Sequence, residues 1–328
     1  MDYAHKQTDK ELKLLEKRIS DEYKRAVKET QKKLDKYLSD FAVKDKIKQE
    51  ALKKGEITQE EYNKWRLGQI MIGKRWEEMR DTLAEDYHNA NKIAAAMTRD
   101  FTYDVYALNH NYGTYEAEKG SMIDTSYTLY DRYTVERLIR DNPQLLPPPG
   151  KRTAKRIEEG KDKRWNQKVI QSVMTQSILQ GESIPQISKR LATAVGDKNK
   201  ASAIRNARTM TTAAENAGRI DSYERADDLG IQMQQEWIAT LDSRTRHEHR
   251  QLDGMRVDVG QPFLIDGYEI YYPGDPKAAP EMVYNCRCTL IGVVSGTNIE
   301  KTKASNLERH SRLKDMSYDE WQNEHSND

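Results

Sequence analysis

The sequence predicts an α+β fold: an elongated, mostly α-helical N-terminal region with long helices, then a further helical segment, then a small C-terminal α+β unit of short strands. Three observations predict it. Over roughly the first hundred residues, apolar side chains recur every three or four positions, the stripe of an amphipathic helix. After Gly230 the texture changes to short apolar runs broken by Gly, Pro and Asp. Of the 328 residues, 36% are hydrophobic and 33% charged, against about 45–50% and about 25% in ordinary globular domains. Long solvated helices explain that shortage, because each needs apolar residues on one stripe only. The mean hydropathy of -0.96 agrees.

The first helix is predicted over about 8–50. Thr8 and Glu11 fit a capping box, and Leu12, Leu15, Ile19, Tyr23, Ala26, Leu34, Leu38 and Phe41 form its stripe. Gly55 stops it. A second helix starts at Thr58, with Glu61 completing a capping box, and runs through Trp65, Ile72, Trp76, Leu83 and Tyr87 past Met97. The pair reads as a helical hairpin. Residues 100–140 are rich in tyrosine, which suits packing edges with an apolar ring and a wet hydroxyl.

Leu145-Leu146-Pro147-Pro148-Pro149-Gly150 cannot continue a helix and reads as a hinge. From 151 to 168 eight basic residues face three acidic ones. This stretch is either a solvated linker or a phosphate contact through Lys151, Arg152, Lys155 and Arg156. Three helices follow over 164–229: one ended by Gly181, a short one capped by Ser183 and ended by Gly196, and one from about Lys198 to Leu229. Small residues on the third allow close packing. A strand is predicted at 231–239 and short strands at 255–259, 262–265, 268–272 and 287–294. The polar tail is expected to hold a short helix around 304–314 and otherwise to fray. The domain reading is therefore 1–144 helical region, 145–163 Pro-rich basic linker, 164–295 a domain of helices and short strands, and 296–328 polar tail.

Charge and length exclude several partners. Lys+Arg is 54 and Asp+Glu is 53, so no global basic field for nucleic acid exists. No apolar run reaches the ~20 residues of a membrane span. The N-terminus shows no apolar signal core, and two cysteines make no disulfide framework, so synthesis in a reducing cytosol is expected.

Both cysteines and two of the seven histidines fall in two short motifs, Asp242-Ser243-Arg244-Thr245-Arg246-His247-Glu248-His249 and Asn285-Cys286-Arg287-Cys288. His247, His249, Cys286 and Cys288 would make a closed Cys2His2 zinc set, structural and not catalytic. The other reading is that these residues are packed or hydrogen-bonded and hold the loops together. Catalytic patterns are incomplete: His247-Glu248 opens a zinc-protease motif, but position 251 is Gln. Asp242, Arg244, Thr245, Gly254 and Asn285 are candidate integrity residues. Asp242 and Asn285 suit loop hydrogen bonding, Arg244 suits pairing with Asp242, and Gly254 suits a positive φ.

The order Ala207-Arg208-Thr209, Asn216-Ala217-Gly218, Gly230-Ile231, Trp237, Asp242-Ser243-Arg244-Thr245-Arg246, His249, Leu252-Asp253-Gly254, Tyr272-Pro273-Gly274-Asp275 and Asn285-Cys286-Arg287-Cys288 resembles the phage Mu F-like minor head protein family, also called the phage head morphogenesis family. The similarity covers about 165–295. It implies a low-copy structural protein of a tailed-phage head, made in the host cytoplasm and located in the virion near the portal vertex. Its implied partners are the portal protein, other head proteins and packaged double-stranded DNA, with roles in assembly and in packaging or ejection. Some relatives carry Cys in place of Arg246 and of His249, and some fuse this domain to toxin domains. The residues after Ser295 are too few for a further enzyme domain. The resemblance implies no reaction. The alternative is a metal-dependent hydrolase or nuclease carried in the head.

Overall fold

A computed structural model describes residues 2–146, 151–298, 300–301 and 308–326, with backbone only for 151–153 and 308–309. The fold is α+β, with long helices followed by short antiparallel strands. It divides into two compact units, one of residues 1–15, 98–150 and 205–328, the other of 16–97 and 151–204. The expected hinge residues Pro147 to Gly150 lie outside the described residues.

The helices are α1 (Tyr3–Ser39), α2 (Ala42–Lys53), α3 (Gln59–Ile70), α4 (Lys74–Ser121), α5 (Arg132–Asp141), α6 (Lys151–Glu158), α7 (Lys161–Leu179), α8 (Ile184–Leu191) and α9 (Lys198–Asp228). The predicted stripe of α1 is real: Leu15, Ile19, Tyr23, Ala26, Leu34 and Leu38 are all buried. Its boundaries are not those expected. The helix starts at Tyr3, and Thr8 is an interior residue whose hydroxyl accepts from Asn109 Nδ2 at 3.1 Å, so it caps nothing. The N-terminal carboxylate is instead Asp2, which accepts the His5 N–H at 2.9 Å. The helix also breaks after Ser39. No residue of α2 is buried, and Val43 and Ile47 face solvent, so no apolar stripe holds the chain straight there.

The Thr58–Glu61 capping box forms as predicted. The helix it starts does not run to Met97, because Gly73 takes φ +78° and separates α3 from α4. Gly181 at φ +70° ends α7, and Ser183 caps α8 with Gln186. Gly196 ends nothing. It lies in a π-helical turn, Ala192–Asp197, that runs into α9. A Cβ there would fall 2.6 Å from a methyl of Val27 and 3.5 Å from the Tyr87 ring, so the glycine serves close packing. The second unit is further tied by a buried polar chain. The Tyr23 hydroxyl donates to Asn91 at 2.5 Å, and Asn91 and His88 both reach Asp162, at 2.7 and 2.8 Å. The basic stretch expected as a linker is helical as α6, with Lys155 and Arg156 exposed.

In the first unit, β2 (Ile231–Ile238) is the middle strand of an antiparallel sheet, β3-β2-β6, with β3 (Arg256–Asp258) and β6 (Thr289–Thr297). Ile231, Met233, Gln235 and Trp237 of β2 turn inward, the period-2 pattern of a half-buried strand. β4 (Phe263–Ile265) and β5 (Tyr268–Ile270) form a hairpin across Asp266-Gly267, both at positive φ. Short β1 (Ile123–Asp124) pairs with β7 (Glu308–Arg309).

Among the described residues of the tail, 311–326 are ordered where fraying was expected. After a 3-10 turn at Ser311–Lys314, helix α12 (Tyr318–Ser326) buries Tyr318 and Trp321 against Tyr112, Tyr115 and Tyr127. The Trp321 indole donates to the buried Glu118 carboxylate at 2.6 Å. The tyrosine-rich stretch therefore packs on the C-terminal helix.

Candidate metal centre

Two loops build the site. Beyond β2, the Asp242 carboxylate accepts the Arg244 N–H at 2.8 Å, and the Thr245 hydroxyl donates back to the Thr240 carbonyl. This turn launches the short helix α10 (His247–Leu252), whose inward positions are His249 and Leu252, three residues apart. Gly254 then returns the chain towards β3. It takes φ +76° and donates its N–H to the Trp237 carbonyl at 2.8 Å. No atom lies within 4 Å of where its Cβ would be, so conformation and not space demands glycine. On the other side, α11 (Pro280–Val283) precedes Asn285, itself at φ +56°, and this reversal turns Cys286 into the core.

His249, Cys286 and Cys288 converge, each at most 3% exposed. His249 Nδ1 lies 3.5 Å from both sulfurs, and the Cys288 N–H donates to Cys286 Sγ at 3.4 Å. A tetrahedral zinc, at about 2.3 Å from sulfur and about 2.0–2.1 Å from nitrogen, would set each S···N separation near about 3.5 Å. The donor set therefore fits zinc as a Cys2His group of three ligands. The hydrogen bond to Cys288 and burial push the Cys286 thiol up, while the bond from Cys286 and the His249 contact hold Cys288 down. The Trp237 ring meets the imidazole edge-on at 5.3 Å, and His249 Nε2 is buried with no hydrogen-bond partner among the described residues.

His247 does not join them. It is exposed on α10, 3.0 Å from the Gln251 amide, because the two-residue step to His249 carries it to the other side of the helix. The expected four-ligand set is thus a set of three. Arg246 donates to the Tyr284 carbonyl, and its charge favours the Cys286 thiolate.

Among the integrity residues, Asp242 takes the Arg287 guanidinium at 2.8 Å and Arg244 more loosely at 3.4 Å. The Arg287 hydrogen bond, with the Arg244 N–H, holds the Asp242 carboxyl below the usual carboxylate range. Arg287, the residue between the two cysteines, was not singled out by sequence. The Asn285 N–H donates to Thr209 at 3.3 Å. The side chains of Lys151 and Arg152 lie outside the described residues; Lys155 pairs loosely with Glu159 at 3.8 Å.

Sequence reasoning also missed the inner face of α9. The Thr212 hydroxyl donates to the Cys286 carbonyl at 2.7 Å. Asn216 donates to the carbonyls of Pro273 and Cys288, at 3.1 and 3.4 Å, and accepts the Leu290 N–H at 2.9 Å. Glu215 takes the Thr289 hydroxyl and His5, both at 2.6 Å. Arg219, with no exposed surface, forks onto Asp2 at 2.8 and 2.9 Å and donates to Asn109 and the Leu290 carbonyl. Two motif glycines let these groups approach. A Cβ on Gly218 would fall 2.5 Å from the Tyr106 carbonyl oxygen, and one on Gly274 2.8 Å from the Ala213 nitrogen. The signal in the sequence was polar residues at 212, 215, 216 and 219, one helical face amid small neighbours.

A second group with possible ligand atoms, Glu118, Asp124 and His325, is explained by packing. Both Glu118 oxygens are already engaged, one by Trp321 and the other by the N–H and hydroxyl of Thr125.

Comparison with known proteins falls on this region. Residues 168–291 match the family described as Phage Mu protein F like protein. This segment is similar to the phage Mu F-like family. The Mu F-like segment runs from α7 into β6 and includes all three converging side chains. Beyond it, the chain is 26% identical over 303 residues to Minor head protein GP7 of Bacillus phage SPP1, covering 90% of this chain and 92% of that protein. It is 33% identical over 210 residues to NAD(+)--arginine ADP-ribosyltransferase EFV of Enterococcus faecalis; this covers 63% of this chain but only 40% of that protein's length. No solved structure matches the chain. No helix among the described residues is long and apolar enough to cross a membrane.

Proposed function

We propose that the chain is a structural minor head protein of a tailed bacteriophage that acts at the portal vertex during head assembly. The observation that carries the reading is the likeness to a minor head protein along 90% of the chain, well beyond the Mu F-like segment. The family match supports the same role. The chain covers less than half of the ADP-ribosyltransferase relative, and no activity is carried over from it.

His249, Cys286 and Cys288 serve in this reading as a staple that joins α10 to the start of β6, and zinc is its proposed occupant. Zinc would supply charge neutralisation and a fixed geometry for the two thiols. Burial argues against the hydrolase alternative, since a hydrolytic zinc keeps an open position for water and substrate, and these ligand residues are almost fully enclosed. The exposed basic residues of α6, Lys155 and Arg156, suit a DNA phosphate contact.

Portal association is tested by co-expression with the portal protein of the same phage. The two are expected to elute together in gel filtration. Separate elution of two folded proteins at micromolar concentration contradicts the portal contact.

A further inference from the structure

Helix α2 turns its polar side inward and its apolar side out. Val43, Ile47 and Ala51 follow one another at four-residue steps and form one stripe. Val43 is 74% exposed and Ile47 62%. The side towards α3 is polar. Asp45 lies two positions from both Val43 and Ile47, which on a helix is the opposite side. It accepts the Tyr62 hydroxyl at 2.8 Å and pairs with Arg66 at 3.3 Å. The Gln49 amide donates to its other oxygen at 3.1 Å. A helix of 12 residues is marginal in water alone and is ordinarily held by packing of its apolar face. Here the polar face is spent on the fold and the apolar face is left for something else.

The charge around the stripe says what covers it. Lys44, Lys46, Lys48 and Lys53 of α2, with Lys54 after it, oppose only Asp45 and Glu50, and Arg66 already pairs with Asp45. Lys44 and Lys46 are exposed, one on each flank of the stripe. An apolar centre inside a charged rim is the anatomy of a contact between proteins. A second copy docking through the same face would set lysine against lysine, which opposes binding. Helices that enter a lipid surface do so through Trp, Phe and Leu, and the stripe has none. A nucleic-acid backbone would meet the lysines but gain nothing from Val43 and Ile47, which offer no ring for a base to stack on.

We propose that the Val43–Ile47 face of α2 docks an acidic segment of another head protein, whose apolar side chains cover the stripe and whose carboxylates pair with the flanking lysines. The choice of assembly rests on the head-protein reading; the choice of surface and of partner charge does not.

Heads assembled by a phage lacking its own copy of the chain, and supplied with variants, test it. Ile47→Glu and Ile47→Lys both remove the apolar contact at a solvent-facing position, so both should keep the melting temperature. Only the glutamate sets like charge against an acidic partner. Measured by quantitative mass spectrometry of purified heads, Ile47→Glu should enter about tenfold less than wild type and about threefold less than Ile47→Lys. A photo-crosslinker, p-benzoylphenylalanine, placed at Ala42 beside the stripe should join the chain to an acid-rich segment of a different head protein. Wild-type entry of folded Ile47→Glu, or equal entry of the two variants, would overturn the proposal while leaving the chain in the head. So would an incorporated chain that cross-links to nothing, to DNA, to a second copy or to a segment without excess acid. Absence of the wild-type chain from heads would overturn the head-protein reading itself, and this docking with it.

Discussion

Arg219→Met is expected to destabilise the first unit by about 3–5 kcal/mol, the usual cost of removing one partner from a buried ion pair. The guanidinium has no exposed surface and satisfies Asp2, Asn109 and the Leu290 carbonyl together. Methionine fills much of the volume but leaves Asp2 and the nearby Glu116 uncompensated. The loss should depend on pH. Burial already raises the Glu116 carboxyl to about 7, with Arg219 pulling it down and Asp2 pushing it up. Without Arg219 it rises further. A carboxyl whose folded pKa exceeds its unfolded value contributes stability that is present below the unfolded pKa and lost as pH rises through the folded one. The variant should therefore fall furthest behind wild type at pH 8 and least at pH 5. Urea midpoints at both values check this; a difference below about 1 kcal/mol at pH 8 would remove the buried pair from the account.

The second large effect concerns the thiols. Purified under reducing conditions with zinc present, the chain should hold about one zinc, and Cys286→Ser/Cys288→Ser should hold none. At about 100 times its dissociation constant, bound zinc adds about 2.7 kcal/mol. Chelation of the wild type should lower its thermal midpoint towards that of the variant and leave the variant unmoved. This separates lost metal from lost packing. A folded wild type with no zinc and no response to the chelator would leave a hydrogen-bonded cluster of two thiols and one imidazole. His247→Ala should leave the zinc content unchanged, since that ring lies outside the cluster.

Elements that announce themselves through a local pattern were legible. The stripe of α1, the Thr58 and Ser183 capping boxes, the period of β2 and the glycine turns of the hairpin all depend on residues close in sequence. Three expectations failed where tertiary contact decides. Gly196 looks like a stop but is buried against Val27 and Tyr87 within a continuing helical path. The tail looks polar, yet Tyr318 and Trp321 complete an aromatic cluster begun some two hundred residues earlier. Thr8 looks like a cap and is instead a buried acceptor for Asn109. For the site, His249, Cys286 and Cys288 lie together in space, and the short α10 turns His247 away. The polar face of α9 escaped notice because helix patterns are read from apolar residues, whereas Thr212, Glu215, Asn216 and Arg219 are buried by being fully bonded.

The central claim is that this chain is built into a phage head. Mass spectrometry of gradient-purified heads from the phage that encodes it tests this most directly. The account predicts the intact chain at low copy number relative to the major capsid protein, retained after high-salt washing. Heads of normal composition that lack the chain, with the folded protein left in the soluble lysate, would contradict it.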